Sequence, residues 1–497
     1  MSKRLNGITE VLKDAQFSRR SILKSLVLAL ISASLEDSAF GVETPLFNAI
    51  LGRPTDSSIA LSLISSSQST AFVEYGYSPN KLTLKTKLVN LEKLTPQIID
   101  ISGLKSNAKI YYRTKIRSSS STYISSEVSS FATAKKIGST FTFVVIGDSH
   151  PERAGKMFNA ELYNQTLTNI SKQNPDFMIM LGDDFSIDPL IERGQANLDN
   201  VEKIYSTQRN WLSKVAKSSP LFLVNGNHEQ AAAYLLDGTD KNPAVLAGKS
   251  RLKYFPLPDS NNFYSSDSEN VDFVGKLRDY YSWTWGDALF ITIDPYWHSK
   301  NPVDNVAGIS ADQAQGTGKG SGKTGDLWSI GIGDAQYKWL KSTLEKSKAK
   351  YKFIFSHHVM GTGRGGVEVS TGYEWGGQDP KSKRTFSEMR PGWEMPIHDL
   401  MVKHGVNIFF QGHDHIFVHQ ERDGLIYQSM PNPADDTFTM FNEGAYLSGS
   451  KAPNSGHVRV TVGPKQVKVE YFLSARKQDE SAERQNLKLA HSYTIKG

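Results

Sequence analysis

The chain reads as an all-β sandwich followed by an α/β domain with a mixed or parallel sheet. Three observations predict this. Short strands of alternating polarity, separated by turn residues, fill residues 42–135. A helical stretch at 160–173 stands between two mostly apolar runs, 141–146 and 177–181, which is the pattern of a βαβ crossover. Five apolar runs lead into turns bearing Asp, Asn or His, as buried strands do where a site is built on the ends of an α/β sheet. At 497 residues the chain exceeds one ordinary core, and two domains are expected.

Residues 1–41 read as a targeting segment. A basic region leads to Ser18-Arg19-Arg20-Ser21-Ile22-Leu23-Lys24, then a short apolar stretch at 25–34, then small residues at 33–41. The heptapeptide resembles the twin-arginine export signal, S-R-R-x-[FL]-L-K, with Ile22 as a mild departure. That resemblance implies a signal peptide, passage of the folded protein through the twin-arginine export machinery, and a periplasmic or secreted destination. An amphipathic helix with a chance arginine pair is the alternative, and it leaves the order of these features unexplained. The stretch is too short to span a bilayer. No other run reaches ~18 uninterrupted apolar residues, so no membrane span is expected in the mature chain.

Within 42–135, strands are expected at 58–64, 70–77, 83–89, 98–101, 110–116 and 128–133, with turns at Ser78-Pro79-Asn80 and Lys105-Ser106-Asn107. The segments Gly52-Arg53-Pro54-Thr55, Val73-Glu74-Tyr75-Gly76, Gly103-Leu104-Lys105, Tyr111-Tyr112-Arg113 and Phe131-Ala132-Thr133-Ala134 resemble, in order, the fibronectin type III-like N-terminal domain of purple acid phosphatases. They carry no catalytic residue, and Tyr111 and Tyr112 read as strand packing. Residues 134–139 read as a linker.

The second domain is expected to run from 140 to 497. Pro175 stops the helix 160–173, and a second helical stretch covers 198–216. Residues 237–267, rich in Pro, Asn, Ser and Asp, read as loop. Strands follow at 281–285 and 288–294, then a Gly-rich stretch at 306–333 and a helix at 335–346. Within the Gly-rich stretch, Gly318-Lys319-Gly320-Ser321-Gly322-Lys323-Thr324 looks like a phosphate-binding P-loop. Thr317 stands where the first Gly belongs, and the required strand and helix are missing from the pattern, so it reads as a surface insertion able to fold over the site. Residues 457–462 and 465–473 read as a closing hairpin around Gly463-Pro464, and the tail from Ser474 as polar surface.

The chemistry sits in the turns: Gly147-Asp148-Ser149-His150, Gly182-Asp183-Asp184, Gly226-Asn227-His228-Glu229, the isolated His357, and Gly412-His413-Asp414-His415. Carboxylates, a carboxamide and imidazoles, with no thiolate, are ligands for hard to borderline divalent cations. Two Asp, one Asn and four His suffice for two ions if one carboxylate bridges, with His228 left over. Two ions roughly 3.5–4 Å apart are the standard device for hydrolysing phosphate esters. Any one of these histidines is as readily a satisfied core residue, but that reading does not account for the set.

These turns resemble the calcineurin-like metallophosphoesterase superfamily, whose blocks D-x-H, G-D, G-N-H, H and G-H-x-H all occur here in order between Asp148 and His415. The resemblance implies an α/β domain built as a mixed β-sandwich flanked by helices. It places Asp148, His150 and His415 on a first metal, Asp183 as a bridge, and Asn227, His357 and His413 on a second. His228 would steer the phosphate and protonate the leaving oxygen, while hydroxide formed at the metals attacks phosphorus. The ions are Mn, Fe or Zn; the ligand types leave the choice open. Asp184 and Asp414 either orient ligands or face solvent, and Asp414 is expected to face solvent. Purple acid phosphatases carry a tyrosinate three residues after the bridging Asp and lack the histidine of the first block. Here Ser186 and His150 stand at those places, so no ferric-tyrosinate colour is expected. Substrate contacts are expected after His357, from His358, Arg364, Gly365, Gly366, Glu374 and Trp375. Arg364 would clamp a phosphate oxygen, and His358 would be a second proton donor or an exposed neighbour. Tyr296, Trp297 and His298 are expected to form an aromatic wall.

Lys and Arg are scattered, and the net charge of +6 favours anionic substrates without forming a nucleic-acid groove. The absence of cysteine excludes disulfides and thiolate metal sites. The sequence therefore reads as an exported binuclear metal-dependent phosphoesterase acting on phosphomonoesters. The first alternative is a phosphodiesterase or nucleotide pyrophosphatase using the same metals. The second is an exported binding protein with a vestigial site.

Overall fold

The computed structural model describes residues 46–118, 122–230, 236–299, 327–359 and 364–497. The twin-arginine segment, and residues 306–326 of the Gly-rich stretch with its P-loop look-alike, lie outside them. Phe141–Ile146 is apolar on both faces, as a central strand must be. It pairs in parallel with Phe177–Met180, which pairs in parallel with Leu221–Leu223. The crossover is the helix Ala160–Gln173, with the bounds its sequence predicts. The Asn159 side chain caps it by accepting from the Glu161 and Leu162 N–H groups, and Asn174 closes it at φ 49°. The helix Leu198–Ala216, capped by Asn197, also matches its predicted bounds.

On its other edge Phe141–Ile146 pairs antiparallel with Gly456–Val462, followed outward by Gln466–Leu473 and Leu489–Lys496. The last strand lies in the tail that reads as polar surface, and its residues are exposed or half-buried. Its polar residues alternate on an edge strand, where half the side chains face water. A second sheet of eight strands includes Tyr281–Trp285, Ala288–Thr292, Tyr351–Phe355 and Ile408–Gln411. The sheets close over one aromatic core containing Phe143, Phe177, Trp283, Phe290, Phe355 and Phe410. Phe143 stacks on Phe177 at 5.4 Å and Phe355 on Phe410 at 4.9 Å. The helices Gly333–Lys346 and Ile397–Lys403 cover the outer face of the second sheet. The α/β arrangement of mixed sheets flanked by helices is thus present. The parallel strands of each sheet put their C-terminal ends together, where α/β folds build sites.

A strand absent from the sequence reading, Phe47–Gly52, links the N-terminal residues to this core. It meets Leu221–Leu223 in parallel at Gly52↔Leu221 and pairs antiparallel with Ser58–Ser65, which pairs with Gln97–Ser102. These three strands extend the first sheet to nine. A second layer, led by Ser69–Gly76 and Lys109–Arg117, faces them across a core of Leu61, Val73, Ile99, Ile110, Tyr112 and Phe131. The expected strand 83–89 is broken into Leu84–Lys85 and Val89–Leu91. The expected loop 237–267 contains the helix Pro243–Tyr254, with Asn242 capping the Ala244 N–H at 2.9 Å. Asn242 is the N-cap and Pro243 the first helical residue, so residue types that also favour loops here start a helix. No helix among the described residues is long and apolar enough to cross a membrane.

Candidate metal centre

The strand ends bring all seven predicted ligand side chains together, none more than 4% exposed. His150 Nε2 lies 3.1 Å from His415 Nε2, and His415 Nε2 lies 3.5 Å from Asp148 Oδ1. Asp183 Oδ2 lies 3.5 Å from His150 Nε2 and 3.0 Å from His357 Nε2. His413 Nδ1 lies 3.0 Å from Asn227 Oδ1. Asp148, His150 and His415 form one group that could hold an ion, and Asp183, His357 and His413 another, while Asp183 also groups with His150 and His228. Two donors each about 2.1 Å from one ion stand roughly 3.0–3.5 Å apart, so these spacings fit shared cations.

The electrostatics agree. Burial pushes Asp148 up to about 8, against the pull of the neighbouring His357. Burial also opposes ionisation of Asp183, but the charges of His357 and His228 hold it well below the usual carboxylate range. Burial disfavours a charged His357, yet Asp183 and Asp148 raise it to about 10. Two buried carboxylates demand positive charge, and the protein alone answers with an imidazolium. Burial first, and then the cationic neighbours, hold His150, His413 and His415 well below the usual histidine range, in the neutral form that ligates metals.

The turns are strained to achieve this. Asp148, His150, Asp183, His413 and His415 all sit at φ between 46° and 69°, at roughly 1–3 kcal/mol each. Backbone contacts hold them. The His413 N–H donates to Asp148 Oδ1 at 2.8 Å, and the His228 N–H to Asp183 Oδ1 at 3.0 Å. A Cβ at Gly226 or Gly412 would collide with those same two carboxylates, which fixes glycine there. Glu229, which the sequence reading did not use, accepts from the N–H groups of Gly226, Asp183, Asp184 and Phe185 at 2.6–3.0 Å. It ties the G-D and G-N-H turns into one unit. Its only signal in the sequence is an acidic residue directly after G-N-H.

The neighbours sort differently from expectation. Asp414 is buried rather than solvent-facing, accepting from the Tyr446 hydroxyl at 2.6 Å, the Gly365 N–H at 2.8 Å and Arg364 Nη1 at 3.1 Å. Asp184 is also buried and takes the Ser149 hydroxyl at 2.5 Å. Ser186 is buried. His358 is 3% exposed, stacks on His413 and meets the Tyr296 hydroxyl at 2.7 Å. It supports a ligand and does not line the opening. Glu374 and Trp375 are fully buried, held by Arg390 and the Tyr427 hydroxyl. Tyr296 is buried beside His358 and His298 pairs with Asp279 at 3.0 Å, so the expected aromatic wall does not face the site.

What does line the opening, a cavity of about 170 Å³, is five of the seven ligands, His150, Asp183, Asn227, His413 and His415, together with Arg153, His228, Arg364 and Phe441. Arg364 was anticipated; Arg153 and Phe441 were not. His228 Nδ1 meets Asp188 Oδ2 at 2.5 Å, and its Nε2 faces Arg153 Nη2 at 2.9 Å. Burial disfavours its charge, but Asp183 and Asp188 raise His228 to about 9. A larger opening of about 830 Å³ lies at the other end of the strands, lined by Thr284, Trp339 and Lys348, and contains none of these groups. The chemistry, not the volume, identifies the site.

Carboxylate and imidazole groups spaced for two ions, on the strand ends of a helix-flanked two-sheet sandwich, define a candidate metal-dependent hydrolase. The chain belongs to the calcineurin-like phosphoesterase family, whose model matches residues 141–417. Two solved structures share the fold. One is the purple acid phosphatase PPD1 from yellow lupin (Lupinus luteus) seeds, 16% identical, with a TM-score of 0.54 over 90% of this chain and 74% of that one. The other is PhoD, 15% identical, with a TM-score of 0.60 over 90% of each chain. No curated protein matches the sequence.

Proposed function

We propose that the protein is an exported binuclear metal-dependent phosphomonoesterase. The observation that carries this is the small cavity over the ligand cluster with guanidinium groups from Arg153 and Arg364 in its wall. Its size suits one phosphoryl group better than a chain continuing on both sides. Asp148, His150 and His415 would hold one ion and Asn227, His357 and His413 the other, with Asp183 between them. Two bound divalent ions would lower the pKa of a coordinated water and neutralise charge on the phosphoryl oxygens. Arg153 and Arg364 bind those oxygens through planar N–H pairs. Asp188 orients His228 through Nδ1; with the Arg153 guanidinium drawn from Nε2 to the phosphoryl oxygens, Nε2 is left to carry the proton for the leaving oxygen.

Export rests on the twin-arginine resemblance of residues 18–24. Residues 42–135 are proposed as a fibronectin type III-like domain and 140–497 as the catalytic domain. The fourteen-residue core shared by the two N-terminal layers supports the first boundary. The test is a parallel assay of the purified protein with Mn, Fe and Zn on a phosphomonoester and a phosphodiester, with metal content measured on the same sample. Two ions per chain with faster monoester turnover is expected. Faster diester turnover would replace the monoester reading, and absence of both metal and turnover would remove the enzyme reading.

A further inference from the structure

We propose, resting on the phosphomonoesterase reading, that Phe441 is a leaving-group platform. The preferred substrates are then phosphomonoesters with a flat aromatic or heterocyclic leaving group. Singly exposed apolar side chains are ordinary on protein surfaces, and Leu447, at 86% exposure, is one. Phe441, 48% exposed, differs in two ways: it is part of the wall of the candidate metal cavity, and its ring lies 6.0 Å from the His415 ring at a 34° tilt.

The loop that presents it is pinned. The Asn442 amide donates to the Asp414 carbonyl at 3.0 Å, fastening the loop to the ligand turn. Upstream, Asp435 accepts from the Thr437 hydroxyl at 2.7 Å and the Asn454 amide at 3.1 Å, and its carbonyl takes the Ser455 hydroxyl at 2.9 Å. The other apolar residues of the loop are used by the fold. Phe438 is 9% exposed beneath the Arg484 guanidinium at 3.8 Å, and Met440 packs on Ile416, Val418 and Tyr446. The loop is therefore anchored on both sides of a ring that the core leaves out.

The substrate geometry completes the argument. A phosphoryl group between Arg153 and Arg364 fills the cavity. The rest of the ester leaves through the mouth, where Phe441 offers an apolar face. In the reaction a water oxygen bonds to phosphorus as the P–O bond to the leaving group breaks with its electron pair. The leaving oxygen takes a proton, and inorganic phosphate remains. Phe441 takes no part in that step; it selects what departs by stacking, an effect of about tenfold in affinity.

Phosphonates test this without the bias of leaving-group acidity, because they are not hydrolysed. Competitive inhibition of the metal-loaded full chain by phenylphosphonate and methylphosphonate would be measured for wild type, Phe441→Ala and Phe441→Trp, with metal content of each. Wild type should bind phenylphosphonate about tenfold more tightly than methylphosphonate. The ratio should fall to near one in Phe441→Ala and persist in Phe441→Trp, at equal metal content. A wild-type ratio near one, or an unchanged ratio in Phe441→Ala, overturns the proposal. Turnover of glycerol 3-phosphate by wild type judges the underlying reading separately. Turnover with no phosphonate discrimination leaves a phosphatase without this platform, whereas no turnover of any monoester overturns both.

Discussion

At the metal edge, buried polar atoms face one another. Between the N-terminal strands and the helices Leu198–Ala216 and Pro243–Tyr254, a buried polar group faces only its complements. That group is Arg209, fully buried, its ordinary pKa brought down to about 9 by burial. Its Nε donates to Asn48 Oδ1 at 2.8 Å, Nη1 to the Tyr254 carbonyl at 2.6 Å and Ser62 Oγ at 3.0 Å, and Nη2 to the Ser62 carbonyl at 2.6 Å. The Tyr112 hydroxyl adds a bond to the Lys217 carbonyl at 2.7 Å. The two regions are equally dry, but lone pairs converge in one and donors meet acceptors in the other. Buried polarity that the chain satisfies by itself is structural. Buried polarity left converging on open space, on strained backbone, is arranged for a partner from outside.

The comparison breaks most sharply at Asp183. Asp183→Asn should lose bound metal and lower kcat/KM by roughly 10⁴-fold. Elemental analysis and kinetics on one sample check this. Unchanged hydrolysis would remove the two-ion mechanism. His228→Ala should keep both ions and lower kcat roughly 10²–10⁴-fold; loss of metal would make His228 a ligand, as its grouping with His150 and Asp183 allows.

At the junction the loss should fall on stability instead. Arg209→Met strands the acceptors on Asn48, Ser62 and Tyr254 and should cost about 3–5 kcal/mol, read from urea unfolding. Metal content and kcat of the folded fraction should match wild type. A fall in kcat would mean that the junction also shapes the site.

The smallest effect marks where the metal edge ends. His298 is beyond the ligands. Burial opposes its charge, but Asp279, hydrogen-bonded at 3.0 Å, together with Asp294 and Glu269, raises it to about 9. Burial also opposes ionisation of Asp279, yet His298 lowers its pKa below the ordinary value. A raised histidine stabilises fully below its unfolded value of 6.5 and ceases to do so as pH climbs through about 9. The lowered aspartate contributes above its unfolded value of 3.8 and loses that contribution as pH falls. The midpoint difference between wild type and His298→Gln should therefore be greatest between about pH 4 and 6.5, at about 1–2 °C, and close above pH 9. A difference that does not vary with pH would make His298 a packing residue only.

The candidate ligands were legible because each residue sits within four positions of the end of a strand, so an apolar run and a turn locate it locally. The crossover helices were legible for the same reason: caps and 3.6-residue spacing are short-range. Arg153, Asp188 and Phe441 were not, because nothing near them in the chain marks which loop will fold over the candidate metal cluster. Asp414 was misread because a carboxylate in a turn resembles solvent-facing surface until Tyr446 and Gly365 are brought to it. His358, next to a ligand in sequence, points into packing because adjacent residues after a strand turn opposite ways.

By itself the sequence determined the phosphoesterase family and the strands whose ends carry the candidate ligands, both carried by local patterning. Tertiary structure alone decided which charges line the mouth, which histidine supports rather than contacts, and that Phe47–Gly52 joins the N-terminal layers to the catalytic sheet. Those outcomes depend on contacts between segments tens to hundreds of residues apart, whose geometry no short stretch of the chain encodes.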